Sequence, residues 1–250
     1  MLGILYDIHG NLLALDAVLA EAAGVERWLL GGDYGVGSPW PHETLERLRG
    51  LPNATWIRGN GERWLFEPPE DRPEVKEGYD RFKDELSPEE QRWLFDLPPR
   101  AEIDGVLYLH GSPLADDESF DIEPREDDER LLAGEHDRTI VFGHSHLQFQ
   151  RPGPNGTFLV NPGSVGSPRH GEPNAAWAVR RDGGEFELRR TDYDTARAAA
   201  AFRALGPPIG EMFAHRIETG GDGAARACRA QVGSPRRAVA VGSRHVRWRR

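Results

Sequence analysis

Five short apolar runs in this chain each stop at a turn containing glycine, and each turn carries a side chain able to ligate a metal. Leu2–Tyr6 ends at Asp7-Ile8-His9-Gly10, Trp28–Leu30 at Gly31-Gly32-Asp33, and Thr55–Arg58 at Gly59-Asn60-Gly61. Val106–Leu109 ends at His110-Gly111, and Thr139–Phe142 at Gly143-His144-Ser145-His146. Apolar runs this short, bounded by turn residues, read as strands. The stretches Leu12–Ala23, closed by Gly24, and His42–Arg49, closed by Gly50, read as helices. Alternation of strand, glycine turn and helix predicts an α/β architecture.

In open α/β sheets, sites form beyond the carboxyl ends of strands, so one rim would gather Asp7, His9, Asp33, Asn60, His110, His144 and His146. The i, i+2 spacing of Asp7/His9 and His144/His146 lets both members of a pair converge in a turn just past a strand. Glycine beside each ligand suits backbone that turns sharply close to a site. Imidazole, carboxylate and one amide, with no thiolate, suit Mn, Fe, Zn, Co or Ni. Singly, each residue has an ordinary explanation: Asp7 as a helix cap, Asp33 in a glycine turn, Asn60 as a left-handed turn residue, His9 or His110 as a satisfied core histidine. Jointly, seven such residues at five strand ends favour a common site.

The remaining segments support that frame. Residues 67–98 read as helical and charged; Ser87-Pro88-Glu89-Glu90 is a helix start, and Pro98-Pro99 a stop. Asp116–Asp128 is an acidic loop after a ligand turn. Ala175–Arg180 and Glu185–Arg190 form a hairpin around Asp182-Gly183-Gly184, and Thr195–Leu205 is an Ala-rich helix. Beyond Gly206-Pro207-Pro208 the hydrophobic periodicity fades. We therefore divide the chain into a main domain over 1–195, a C-terminal helix within 196–215 packed on or near the core, and a poorly ordered tail over 216–250. Ser112 and Ser164 lie outside any G-x-S-x-G elbow, which argues against a serine hydrolase.

Charge and cysteine usage narrow the partners. The net charge is −10, yet residues 216–250 carry nine arginines against Glu218 and Asp222, leaving about −17 on residues 1–215. An acidic body disfavours general polyanion binding; nucleic acid is at most a partner of the basic tail. The single cysteine, Cys228, excludes an intrachain disulfide and fits a reducing compartment. The first strand begins at once after Met1, and no apolar run approaches the roughly 18 residues of a membrane span. We expect a cytoplasmic protein with a small substrate and no membrane partner; the oligomeric state is not legible.

The order and spacing of the ligands resemble the calcineurin-like metallophosphoesterase superfamily, whose pattern is D-x-H, G-D, G-N-H-[D/E], H and G-H-x-H. The resemblance covers roughly residues 1–195. Asn161-Pro162-Gly163-Ser164-Val165-Gly166, followed by Pro168-Arg169, further resembles the bacterial phosphodiesterase-type branch. The resemblance implies a four-layer αββα sandwich with two mixed β-sheets. It implies two divalent transition-metal ions, manganese foremost, with Asp7, His9 and His146 at the first and Asn60, His110 and His144 at the second. Asp33 would bridge them, and Asp33, Asn60 and His144 would be catalytic. The implied reaction is hydrolysis of a phosphodiester by in-line attack of a metal-bridging hydroxide. The alternatives are a phosphomonoesterase, such as a protein serine/threonine phosphatase, or a noncatalytic metal-binding scaffold of the same fold. One departure matters: Gly61 replaces the family's histidine, although Glu62 keeps the acidic position after it. A lost general acid is worth about 10²–10⁴-fold. His170 is a candidate substitute, and Arg58 and Arg169 are candidate phosphate contacts.

Overall fold

The apolar runs form strands whose side chains alternate between two buried layers. The structure is a computed structural model and describes residues 1–222 apart from residues 36, 71–75, 77–78 and 81–82. β1 (Leu2–Leu5), β2 (Arg27–Leu30) and β3 (Ala54–Trp56) pair in parallel, with Ile4 opposite Leu29 and Leu29 opposite Thr55. A second sheet is built on β4 (Arg100–Ile103), β5 (Val106–Leu109), β6 (Thr139–Val141), β7 (Gln148–Pro152) and β8 (Phe158–Pro162). In it β5, β6 and β8 are parallel, while β4 and β7 pair antiparallel at the edges. The predicted hairpin forms as β9 (Ala175–Arg180) and β10 (Phe186–Thr191), and β9 adds antiparallel to β1. The result is two mixed five-stranded sheets, ordered β10-β9-β1-β2-β3 and β4-β5-β6-β8-β7.

Period-2 alternation explains how these sheets pack. Leu2, Ile4, Tyr6, Leu29 and Ile57 meet Val106, Tyr108, Val141 and Val160 in a layer between the sheets. The intervening residues of the first sheet, Leu5, Leu30, Trp177 and Val179, face outward onto α1 (Leu12–Glu21) and α2 (Pro41–Arg49). The outer face of the second sheet, Leu107, Leu109, Ile140 and Phe142, is covered by Phe120 and by Leu131 and Leu132 around α5 (Asp128–Leu131). This is the expected sandwich. Because the strands that precede ligand turns are parallel within each sheet, their carboxyl ends share one rim.

On the first half, α3 (Asn60–Arg63) begins at the ligand turn, and α4 (Pro88–Phe95) carries the expected Ser87–Glu90 capping box. The expected helix over 67–98 is interrupted, since Pro68 and Pro69 are non-helical. The C-terminal region also departs from expectation. Where one helix was expected within 196–215, two form, α6 (Thr195–Arg203) and α7 (Ile209–Thr219), separated by the Gly206-Pro207-Pro208 turn. α7 therefore runs past residue 216 and is closed by Gly220 in the left-handed conformation. Phe202 of α6 packs on Phe213, Ala214 and Ile217 of α7, which supplies the apolar face that the sequence only weakly shows. Residues 223–250, including Cys228, lie outside the described residues. No helix among the described residues is long and apolar enough to cross a membrane.

Candidate metal centre

All seven residues expected at the rim meet there. Asp7, His9, Asp33, Asn60, His110 and His146 are buried, and His144 is half-buried. Asp7, His9, Asp33, His144 and His146 have φ between 45° and 64°, a left-handed conformation that costs non-glycine residues on the order of 1–3 kcal/mol each. Five strained residues at one rim mark a place where geometry is held against local preference. The ordinary roles fail for two of them: Asn11, not Asp7, caps α1 by accepting from the Ala14 amide, and Asn60 is not left-handed but opens α3.

Two sub-clusters share Asp7. His9 Nε2 lies 3.1 Å from His146 Nε2, and Asp7 Oδ1 lies 3.3 Å from His146 Nε2 and 3.8 Å from His9 Nε2. On the other side His110 Nε2 is 3.7 Å from Asp7 Oδ1 and 3.5 Å from Asp33 Oδ1. Asn60 Oδ1 stands 3.0 Å from His110 Nε2 and 2.8 Å from His144 Nδ1. The two oxygens of Asp33 face different imidazoles: Oδ1 faces His110, and Oδ2 lies 3.9 Å from His9 Nε2.

Backbone groups aim these donors. The carbonyl of Ser167 accepts from His146 Nδ1 at 2.6 Å and that of Gly31 accepts from His110 Nδ1 at 2.8 Å. A carbonyl only accepts, so both rings carry hydrogen on Nδ1 and turn Nε2 toward the site. The Gly61 amide donates to Asp33 Oδ1 at 2.7 Å. The Glu62 carboxylate accepts from the amides of Asp33, Tyr34 and Gly59 at 2.9, 2.8 and 2.9 Å, tying the turn after β2 to the turn after β3. Gly143 is required by close approach, because a Cβ there would lie 2.5 Å from Asp7 Oδ2.

The electrostatics are those of a site built for positive charge. Burial alone would raise the Asp7 carboxyl, but the His146 and His110 imidazoles hold it well below the usual carboxylate range. Burial pushes Asp33 up to about 8, against His110 and with help from Glu62 and Asp7. His110 is opposed by burial yet raised to about 9 by the Asp33 and Asp7 carboxylates. Burial and the His110 charge push His144 down to about 3, and burial with His146 lowers His9 far below its ordinary value. The fit to a divalent cation is direct. Asp7 Oδ1 is buried with no hydrogen-bond partner among the described residues, and it faces imidazole nitrogens aimed at it. Asp7, His9 and His146, and likewise Asp7, Asp33 and His110, offer ligand atoms all within 4.8 Å of one another.

The expected substrate contacts fare differently. Arg58 is not at the rim: its guanidinium donates to the Phe95 carbonyl at 2.8 Å and lies 5.1 Å over the Phe95 ring, fixing the end of α4. His170 is buried and its Nε2 pairs with Asn174 Oδ1 at 2.8 Å. Arg169 pairs with Asp222, just beyond α7. Three contributors escaped sequence reading: the Ser167 carbonyl, the amide-clamping role of Glu62, and Phe213, whose ring lies 5.2 Å from that of His9. The apolar positions Phe213, Ala214 and Ile217 were the available signal for the last.

A four-layer α/β sandwich with imidazoles and carboxylates gathered at one strand-end rim is the setting of a metal-binding site at the carboxyl ends of strands. Residues 1–182 of the 250 match the calcineurin-like phosphoesterase superfamily domain, and the chain belongs to that superfamily. It is 28% identical over 231 residues to the uncharacterized protein MJ0912 of Methanocaldococcus jannaschii, spanning 79% of this chain and 90% of that one. The crystal structure of a metallophosphoesterase from Sphaerobacter thermophilus superposes with a TM-score of 0.73 at 26% identity, covering 88% of this chain and 98% of that one. The hypothetical protein PH1004 of Pyrococcus horikoshii shares the fold, with a TM-score of 0.75 at 20% identity, over 89% of this chain and 100% of that one.

Proposed function

We propose that this protein is a phosphodiesterase that works with two divalent transition-metal ions, manganese foremost. The observation that carries the reading is the convergence of His9, Asp33, His110 and His146 on the buried Asp7 carboxylate, whose Oδ1 has no hydrogen-bond partner among the described residues, with Asn60 Oδ1 standing between His110 and His144. Asp7, His9 and His146 would hold one ion and Asn60, His110 and His144 the other, with Asp33 serving both. The opposite facing of the two Asp33 oxygens supports that last role. Ions bound there supply Lewis acidity, which lowers the pKa of water and neutralises phosphoryl charge.

The chain's own residues orient and hold. Ser167 and Gly31 fix the two histidine tautomers, and Glu62 holds the Asp33 and Asn60 turns in register. Gly61 offers only its amide, so no side chain at that position protonates the leaving oxygen. This favours diesters with good leaving groups, and it is also the one feature that speaks for a noncatalytic scaffold. Hydrolysis of bis(p-nitrophenyl) phosphate and p-nitrophenyl phosphate by stripped and Mn²⁺-reloaded protein separates the readings. The proposal expects metal-dependent turnover, faster on the diester. Faster monoester hydrolysis, or inertness with metal bound, contradicts it.

A further inference from the structure

α7 lies beyond the segment that matches the superfamily domain, yet it forms one wall of the candidate site. Phe213 packs against the His9 ring, with 5.2 Å between centroids. A Cβ on Gly37, in the loop after Asp33, would lie 3.2 Å from Ile209 and 3.5 Å from Phe213. At its far end the Gly220 carbonyl accepts from the Gly171 amide at 2.7 Å, so α7 is clasped to the loop that leaves Ser167.

One turn beyond Phe213, on the same face, stands Arg216. Its Nε donates to Asp222 Oδ1 at 2.5 Å, while Asp222 Oδ2 pairs with Arg169. Two guanidiniums thus share one carboxylate. Among the described residues, the acids of α7 and of the loop after Gly171 pair elsewhere: Glu172 with Arg190, and Glu211 and Glu218 with Arg203. Apart from the Nε bond, Arg216 makes no hydrogen bond to a described residue, and its side chain is 16% exposed. A net positive charge, two guanidiniums on one carboxylate, is therefore held in a partly dry corner one helical turn from Phe213, the residue that packs on His9. A rise of about 1.5 Å per residue sets Arg216 roughly 4.5 Å along the helix from the residue that touches the rim. Arg216 therefore stands beside the residue that touches His9 and not among the ligands themselves.

We propose that Arg216 and Arg169, bridged by Asp222, form an anion-binding corner that selects phosphoesters carrying a second phosphate or similar anionic group. This rests on the phosphoesterase reading for its substrate class, but its test needs no turnover. The affinities of the Mn²⁺-loaded protein for thymidine 3′,5′-bisphosphate and thymidine 5′-phosphate are measured by calorimetry, alongside metal content. The bisphosphate is expected to bind about 10- to 100-fold tighter, the range for a charged hydrogen bond. Arg216→Gln should erase that advantage with metal content and monophosphate affinity unchanged, and Arg169→Gln should reduce it. Equal affinities in the wild type, absence of bisphosphate binding, or an advantage that survives Arg216→Gln would overturn the proposal. So would loss of both affinities together, which would mean that Arg216 merely holds α7 in place. Failure to hydrolyse any ester would count against the phosphoesterase reading alone.

Discussion

The amide of His144 donates to Asp7 Oδ2 at 2.9 Å, so the carboxylate that ends β1 is oriented by the turn that ends β6, 137 residues away. The bond leaves Oδ1 turned toward three imidazoles, 3.3 Å from the nearest at His146 Nε2 and without a well-formed hydrogen bond among the described residues. Asp7→Asn should keep the Oδ2 bond through its amide oxygen while putting an NH₂ group where a cation would sit. Activity is expected to fall at least about 100-fold, since losing even a group that only hydrogen-bonds a metal ligand costs about 10–100-fold. Thermal unfolding of the metal-free form should come at a lower temperature near neutral pH, because the Asp7 carboxylate is held, against burial, below its usual range by His146 and His110, and its loss leaves the charge on His110 less compensated. Turnover and calorimetric melting check the two halves.

Glu62 is fully buried and accepts three backbone amides, two on Oε2 and one on Oε1. Glu62→Gln would set an NH₂ group against one of those N–H donors. Leaving a buried donor unsatisfied costs about 1–3 kcal/mol. We expect a lower melting temperature and weaker metal binding together, read by calorimetry and by metal titration.

The leaving-group requirement follows from Gly61. Rates on aryl phosphodiesters are expected to drop steeply as the pKa of the leaving phenol rises. Gly61→His should flatten that dependence and raise the rate on poor leaving groups by about 100-fold or more, the lower end of general acid catalysis. A leaving-group series with both proteins checks this.

Proton and metal compete at the Asp33–His110 pair. In the metal-free protein these groups titrate near 8 and 9, raised by burial at Asp33 and by the Asp33 and Asp7 carboxylates at His110. At neutral pH the pair retains protons that a cation must displace. Metal affinity should therefore rise as pH goes from 6 toward 9, with protons released on binding. Calorimetry in buffers of different ionisation enthalpy measures both.

The ligand rim was legible because each of its side chains sits beside a strand end, where local sequence sets both the turn and the ligand. What depended on distant partners was not. Arg58 looked like a phosphate contact, but its partner is the Phe95 carbonyl, 37 residues on. The edge strands β4 and β7 escaped notice because RAEI and QFQRP are largely polar, and edge strands bury few side chains. α7 was missed for another reason. Gly210 packs against α6, where a Cβ would collide with the Phe202 carbonyl, so a close helix contact is written as a residue that normally breaks helices.

The central claim is that the rim holds two cations with Asp33 serving both. Elemental analysis of protein reconstituted with Mn²⁺ and freed of excess metal tests it most directly, with Asp33→Ala beside the wild type. The account expects about two ions per wild-type chain and well under one in the variant. Wild-type protein that retains no ion, or a variant that retains as many as the wild type, would contradict it.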